Sequence, residues 1–171
     1  SLLLGIGRHA PEKRWPMVIQ AVMKVAIDRP VGLLLVGDGR ERARIANEID
    51  GNPHIRLLSP MSRRDLAQLM ASCDALIHGC EAETFSMVAA EAVASGLPVI
   101  VPDRGGAADH ARTAGGFLYS AGDAADATRA IRQCLRHERR LNLVPPYTMK
   151  DHFEALFAHY EALATGSKKA A

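Results

Sequence analysis

Two glutamates at a spacing of eight residues, Glu83 and Glu91, are the side chains in this sequence whose arrangement most suggests chemistry. The segment 85–95 is rich in alanine and apolar on nearly every side, and this composition predicts a short buried helix. Eight residues of helix extend about 12 Å. A carboxylate inside a buried helix, with a second one just before its start, requires an explanation.

Between the two glutamates lies the start of this helix, whose backbone amides form a possible anion site. Thr84 is the expected N-cap. The free backbone amides of Phe85, Ser86 and Met87 would then favour an anion. The order of acceptor, anion site and acceptor matches the sugar hydroxyls, diphosphate and ribose hydroxyls of a nucleotide sugar. Two structural carboxylates, one solvated and one in an ion pair, explain the residues alone equally well.

The segment "GRHAPEKR" (7–14) places a glycine and three basic residues in one loop, of which Arg8 and Lys13 are the candidates for a phosphate site. Gly7 allows close backbone approach, Arg8 can hold a phosphate group through two parallel hydrogen bonds, and Lys13 acts on it as a point charge. The spacing differs from that of a P-loop, which requires GxxxxGK[ST]. A diphosphate site and a set of solvated surface cations both fit this loop. Gly37 in "VGDG" (36–39) likewise fits either a ligand-facing backbone or a plain turn.

Alternating apolar runs and helical segments position these residues. Strands are predicted at 2–6, 31–36, 54–58, 74–78, 98–102 and 116–119. Helices are predicted at 15–28, 40–49, 62–72, 85–95 and 124–137, and Ser62 with Asp65 forms a capping box at the start of the third. This order predicts an α/β fold, a Rossmann-like parallel sheet of about six strands with helices on both faces. Ligands bind such sheets at the carboxyl ends of the strands, where Arg8, Lys13 and Glu83 fall together.

Composition and charge exclude several classes of protein. The 171 residues carry a net charge of +2, which gives no field that would favour nucleic acid or an anionic membrane. No apolar run reaches the roughly 20 residues of a membrane span, and the N-terminal stretch lacks the basic region of a secretory signal. The three cysteines form no CxxC pair, which predicts a reducing, cytosolic setting. The sequence contains no DxD and no metal-ligand spacing of histidines, so we expect no metal.

The sequence pattern changes at about residue 140. We expect 1–140 to form the ligand-binding domain, and 141–171 to contain a connector, an amphipathic helix at 147–164 and a frayed tail. Because the sequence lacks an initiator methionine and opens on a strand, we also expect a preceding N-terminal domain that it does not include.

Taken together, "GRHAPEKR", "LLVGDG", "ETFSMVAAEAVASGLPVI" and the glycine pair at 105–106 resemble the C-terminal, donor-binding domain of retaining glycosyltransferases of the GT-B fold, family 4 type (group 1). The resemblance covers nearly the whole chain in the expected order, and Glu-x7-Glu is its most specific motif. It implies that Arg8 and Lys13 bind the diphosphate of the donor, that Glu83 contacts the donor sugar, and that Glu91 holds the ribose. The backbone after the third strand would meet the base, which adds Leu58, Ser59 and Met61 to the site.

The implied activity is transfer of a sugar from a nucleoside diphosphate sugar, UDP- or GDP-linked, to an acceptor, with retention at the anomeric carbon. Glu83, Arg8 and Lys13 would be the catalytic residues, with the two cations stabilising the departing diphosphate and no cofactor. The acceptor site and any peripheral membrane contact would belong to the N-terminal domain, in polysaccharide or glycolipid synthesis in the cytoplasm or at the inner membrane face. This chain alone would bind the donor without transferring its sugar. The alternative is a non-catalytic module that binds a nucleotide or sugar phosphate.

Two departures from the family pattern lie inside the site, and one is the lack of the glycine that related sequences often have near Ser59, which leaves recognition of the base open. Ser86 stands where related sequences often have glycine, so the local space is tighter although the backbone amide remains. The ring of Phe85 and the thiol of Cys80 are expected to be packed in the core. Contact of His9 and His78 with ligand is left open by the sequence.

Overall fold

The computed structural model describes residues 1–49, 51–136 and 148–166. Within these ranges strands and helices alternate along the chain. The strands are β1 (Leu2–Ile6), β2 (Gly32–Val36), β3 (Ile55–Leu58), β4 (Ala75–Ile77), β5 (Val99–Pro102) and β6 (Phe117–Tyr119). The helices are α1 (Trp15–Ala26), α2 (Arg42–Ile49), α3 (Arg63–Ser72), α4 (Met87–Ala94), α5 (Gly106–Ala114), α6 (Ala124–Arg136) and α7 (Met149–Gly166). All six strands lie where the sequence predicted them.

The six strands form one parallel sheet in the order β3-β2-β1-β4-β5-β6. In the centre, Leu4 of β1 lies opposite Leu34 of β2 and Leu76 of β4. The fully buried strands are nearly continuous runs of aliphatic residues, as expected when helices cover both faces of a parallel sheet. The predicted Rossmann-like α/β fold is confirmed.

Successive side chains of each strand enter two separate hydrophobic cores. Leu3 lies in the core shared with α1, α2 and α6, whereas Leu4 lies in the core shared with α3, α4 and α5. Gly5 has no side chain because Trp15 covers that position, and a Cβ there would lie 2.9 Å from the indole ring and 2.5 Å from Leu35 Cδ2. The first residue of α1 is thereby fixed against the middle of β1.

Helix α5 is absent from the sequence-based prediction. Its buried face consists only of glycine and alanine, at Gly106, Ala107, Ala108, Ala111 and Ala114. Small residues give a weak apolar periodicity, and the preceding Gly105 favours a loop, so the local pattern conceals the helix. The predicted N-cap of α3 is confirmed, since Ser62 Oγ accepts a hydrogen bond from the Asp65 amide at 3.2 Å. The Asp65 carboxylate accepts from the Ser62 hydroxyl at 2.6 Å and not from the Ser62 amide, as a capping box would require.

The last helix, α7, covers most of the segment predicted as amphipathic and extends to Gly166, into the predicted tail. Its large apolar side chains are exposed, namely Phe153, Phe157, Tyr160 and Leu163. Most of the predicted connector, and the tail beyond residue 166, lie outside the described residues. No helix in the described ranges combines the length and the hydropathy needed to cross a lipid bilayer.

The strand order contains one switch point, between the neighbouring strands β1 and β4, where the chain connections leave in opposite directions along the sheet. From β1 the chain passes to β2 on one side, and from β4 it passes to β5 on the other side. The loops that leave β1 and β4 therefore diverge and open a crevice at the carboxyl edge, where open α/β sheets bind ligands. Both loops that the sequence selected begin at this crevice.

Candidate functional site

The loop after β1 is folded back onto the end of β2. The Gly7 amide donates to the Val36 carbonyl at 3.0 Å, and the His9 amide donates to the Asp38 carbonyl at 2.8 Å. A Cβ on Gly37 would lie 2.0 Å from the Gly7 carbonyl oxygen, so only glycine allows the two loops to approach this closely. The Trp15 indole donates to the Arg8 carbonyl at 3.0 Å. These contacts hold the loop in place without any ligand.

Cations of the β1 loop meet carboxylates of the β4 loop across the crevice. Lys13 Nζ pairs with Glu83 Oε1, and the guanidinium of Arg14 pairs with Glu81. The Lys13 side chain is only 13% exposed. Arg8 is oriented differently, because its side chain is 76% exposed and pairs with Glu12 in its own loop. The structure therefore brings Lys13 and Glu83 together, whereas the ion pair of Arg8 with Glu12 remains within the β1 loop.

His78, which follows β4 directly, lies beside the Lys13–Glu83 pair and forms a group of three side chains with it. Its Nε2 lies 3.4 Å from Glu83 Oε1, at an angle that does not form a hydrogen bond. Burial, reinforced by the Lys13 charge and opposed by Glu83, lowers the pKa of His78 to about 4. Burial acts to raise the pKa of Glu83, but the hydrogen bond and charge of Lys13 outweigh it, so this pKa lies below its usual value. At neutral pH the group therefore consists of a neutral imidazole, a carboxylate and an ammonium.

Helix α4 begins two residues later than the sequence predicted. Its N-cap is Ser86, not Thr84, and its first helical hydrogen bond runs from the Ala90 amide to the Ser86 carbonyl. The free amides are thus those of the N-cap Ser86 and of the first helical positions, Met87 and the two residues after it, whereas Phe85 lies before the helix. Phe85 is 45% exposed, so its predicted place in the core is wrong. As a loop residue it packs edge-on against His110 at the rim instead.

Ser86 combines two unfavourable features at the start of α4. Its backbone is left-handed, with φ 63° and ψ 75°, a conformation that costs an L-residue about 1–2 kcal/mol. Its side chain is 6% exposed, and its hydroxyl has no hydrogen-bond partner among the described residues. Strain and an unpaired buried polar group in one residue are typical of a functional position.

Replacing Ser86 with glycine should therefore raise the free energy of unfolding by about 1 kcal/mol. Relief of the backbone strain and of the unpaired hydroxyl outweighs the roughly 0.5–1 kcal/mol of extra chain entropy that glycine loses on folding. Urea unfolding followed by circular dichroism measures the change. Ser86→Ala is the matched control, since it removes the hydroxyl but keeps the strain. A Ser86→Gly protein less stable than the wild type would show that this backbone is not strained.

The glycine pair after β5 holds the β4 loop in place. The Gly106 amide donates to the Glu83 carbonyl at 2.8 Å. Added Cβ atoms would lie 2.5 Å from the Glu81 carbonyl oxygen at Gly105 and 2.5 Å from the Thr84 carbonyl oxygen at Gly106. Both glycines are thus required for close backbone packing beside Glu83.

Glu91 lies about one turn inside α4. It is half-buried, and no ion pair or hydrogen bond of its carboxylate occurs within 1–49, 51–136 and 148–166. The Glu91 carboxylate is therefore available for a ligand.

The residues predicted to meet a base lie at the end of β3 and just after it. Ser59 is exposed, Leu58 and Met61 are half-buried, and the Leu58 carbonyl accepts from the Gly37 amide at 3.0 Å.

Some residues of the site were missed by sequence reasoning. Arg14 and Glu81 form a second ion pair across the crevice, and Tyr119 donates from its hydroxyl to the His78 carbonyl at 2.6 Å. The ion pair could have been suspected, because opposite charges follow two strands that end at one edge. The Tyr119 contact carries no local signal, since it depends on β6 lying two strands away from β4.

Comparison with known proteins agrees with this architecture. The model of a family described as glycosyl transferases group 1 matches residues 1–137. A GDP-mannose-dependent alpha-mannosyltransferase of Mycobacterium tuberculosis is 40% identical over 104 residues, which cover 61% of this chain and 26% of that protein. The N-acetyl-alpha-D-glucosaminyl L-malate synthase of Bacillus anthracis is 33% identical over 143 residues, which cover 81% of this chain and 37% of that protein.

A solved structure shows the same fold. The Anabaena protein HepE, in complex with UDP and glucose, superimposes with a TM-score of 0.67 at 28% identity, over 78% of this chain and 38% of that one. This chain thus spans between about a quarter and two-fifths of the length of these proteins. The family match covers most of the chain, and the predicted membership is confirmed: this chain belongs to the group 1 glycosyltransferases.

Proposed function

We propose that the crevice between the β1 and β4 loops binds a nucleoside diphosphate sugar, and that this chain is the C-terminal, donor-binding domain of a retaining glycosyltransferase. One observation carries the proposal: Lys13 pairs with Glu83, which precedes the N-cap residue of α4, Ser86, in the same loop. A cation and free helix amides suit a diphosphate, and the neighbouring carboxylate suits sugar hydroxyls. Family membership favours this function over a non-catalytic binding module.

The ion pair indicates how the donor would enter. The diphosphate draws the Lys13 ammonium away from Glu83, and the released carboxylate accepts hydrogen bonds from the sugar. Because both partners gain a new contact at the same time, the cost of breaking the pair is offset most fully by a ligand that carries both groups, whereas a nucleoside diphosphate offsets it through Lys13 alone. Lys13 and Glu83 therefore neutralise each other until a nucleotide sugar separates them.

The remaining contacts are made to the ribose, the base and the outer phosphate of the donor. Glu91 accepts from the ribose hydroxyls, and the backbone at 58–61 faces the base. Arg8 swings from Glu12 to the outer phosphate, which its high exposure permits. The names of the relatives support a nucleotide sugar as the donor, since one depends on GDP-mannose and one structure contains UDP and glucose.

The sugar would be transferred by electrostatic stabilisation of the leaving group. Lys13, Arg8 and the α4 amides stabilise the charge that develops on the departing diphosphate. Once Lys13 has moved to the diphosphate, the Glu83 carboxylate accepts hydrogen bonds from the sugar hydroxyls, so its role is to position the sugar and not to attack it. Retention would then follow from departure and attack on the same face of the sugar. The acceptor and its hydroxyl are supplied from outside this chain.

Calorimetric titration of the chain with UDP-, GDP-, ADP- and dTDP-sugars tests the proposal. We expect one of the parent nucleoside diphosphates to bind at least about 30-fold more tightly than its nucleoside, since two charged hydrogen-bonding groups act on the phosphates. Binding should be equal in EDTA and in magnesium, because protein cations supply the counter-charge. Binding that appears only with magnesium, or with none of the four nucleotides, would contradict the proposed site.

A further inference from the structure

Three side chains at the start of the β4 loop form a compact group of metal-ligand atoms. His78, Cys80 and Glu83 offer a ring nitrogen, a thiol sulfur and a carboxylate oxygen, all within 4.8 Å of one another. His78 is 1% exposed and Cys80 is 3% exposed. The proposed binding of a donor uses only Glu83 of these three. The other two, an imidazole and a thiol that can both ligate a metal ion, have no assigned task.

The imidazole of His78 is an independent sign that a ligand belongs here. Neither of its ring nitrogens has a hydrogen-bond partner among the described residues, although the ring is almost fully buried. A buried polar side chain without a partner is costly, and each case in a folded protein calls for an explanation. Its Nε2 faces Glu83 Oε1 at 3.4 Å, so the unpaired nitrogen points into the group of ligand atoms.

The chemistry of the group selects a borderline-soft cation. Nitrogen, sulfur and oxygen ligands together are typical of Zn²⁺, whereas Mg²⁺ takes oxygen ligands and water. Zinc bonds of about 2.0–2.3 Å in a tetrahedron place the ligand atoms about 3.3–3.8 Å apart. The separation of 3.4 Å between His78 Nε2 and Glu83 Oε1 already meets this requirement. All three ligand atoms lie within 4.8 Å of one another, so small shifts would bring the group to this spacing.

We propose that His78, Cys80 and Glu83 bind Zn²⁺, and that the ion takes the place of the Lys13 ammonium at Glu83. The Cys80 thiol releases its proton to solvent as its sulfur coordinates the ion. Three protein ligands leave the fourth position open for water. Lys13 already holds a positive charge at this carboxylate, so the site is shaped to accept a cation, and the metal exchanges one cation for another.

The proposed ion has opposite effects on the two parts of a donor, and this consequence rests on the proposed function. It occupies the Glu83 carboxylate, which is then lost to the sugar. It also releases Lys13, which is then free to meet a diphosphate. Zinc should therefore abolish the preference for a nucleotide sugar over its nucleoside diphosphate while leaving the binding of the diphosphate intact. The ion would act as an inhibitor of sugar recognition and not as a cofactor.

Titration with the metal alone tests the site without any nucleotide. We expect one Zn²⁺ per chain by calorimetry at buffered free zinc, and a sulfur-to-cobalt charge-transfer band when Co²⁺ replaces it. Cys80→Ser should remove the band and weaken zinc binding by more than the ~10–100-fold that loss of an outer-shell partner costs. Cys73→Ser is the matched control, because Cys73 is a half-buried cysteine outside the group, and it should behave as the wild type.

A second variant and a second measurement also test the zinc site. His78→Gln should also weaken zinc binding, and it replaces Cys80→Ser if that variant fails to fold. Zinc binding that is absent, or unchanged in these variants, overturns the site. With zinc bound, the nucleotide sugar and its diphosphate should bind equally; a sugar preference that survives saturating zinc overturns the competition at Glu83. Failure of every nucleotide to bind rejects the proposed function alone, since the metal titration is read independently.

Discussion

Replacing Lys13 with alanine should weaken binding of the preferred nucleoside diphosphate by about 1.5–3 kcal/mol, or roughly 10- to 150-fold. The substitution removes a charged hydrogen-bond donor from the phosphates. It also leaves the Glu83 carboxylate without its partner beside an anionic ligand, which adds a repulsion that the wild type does not have. Calorimetry on both proteins measures the difference. The bare nucleoside, which carries no phosphate, should lose far less affinity.

Two further variants identify the source of this loss. Lys24→Ala removes an exposed lysine from the last turn of α1, far from the crevice, and should leave binding unchanged. Adding Glu83→Gln to Lys13→Ala should restore part of the affinity, because the unpaired carboxylate is then neutral. Equal losses for the nucleotide and the nucleoside would mean that Lys13 supports the fold and not the phosphate site.

Arg8→Ala should cost less than Lys13→Ala, about 1 kcal/mol for the diphosphate. The sequence treats the two cations as equivalent, but the structure distinguishes them. Lys13 is nearly buried at the crevice, whereas Arg8 is exposed and has a partner in Glu12, and exposed charge pairs contribute about 0–1 kcal/mol. The same calorimetric comparison decides the order of the two effects.

Substitutions of Glu83 and Glu91 should have different effects on the affinities of a nucleoside diphosphate and of its nucleotide sugar. Glu91→Gln should weaken a nucleoside diphosphate and its nucleotide sugar alike, by about 1.5–3 kcal/mol, since both contain the ribose. Glu83→Gln should remove only the additional affinity that the sugar provides. It should leave the diphosphate bound as tightly as before, or more tightly, because Lys13 is no longer held in an ion pair. Titration of both ligands against each variant measures the pattern.

Glu48→Gln is the control for these substitutions, since Glu48 is an exposed glutamate on α2. It should change neither affinity. The reverse pattern, in which Glu83→Gln weakens both ligands and Glu91→Gln affects only the sugar, would overturn the assignment of sugar and ribose to the two ends of the motif.

The sequence by itself determined the fold class, the six strands and the edge that carries the site. Buried parallel strands are continuous aliphatic runs, so their positions are visible locally in segments such as 2–6 and 98–102. In a parallel sheet all carboxyl ends meet at one edge. The placement of Lys13 and Glu83 at a common edge therefore follows from their position after a strand, without knowledge of the strand order.

Only the tertiary structure decided which side chains meet and how α4 begins. Lys13 pairs with Glu83, and Arg14 with Glu81, because β1 lies beside β4, and strand order leaves no trace in local periodicity. The left-handed Ser86 and the loop position of Phe85 depend on Gly106, whose amide holds the Glu83 carbonyl and whose missing Cβ admits the Thr84 backbone. Such contacts join residues some 20 positions apart through packing, so the tertiary fold, and not the helix pattern, fixes the start of α4 at the site.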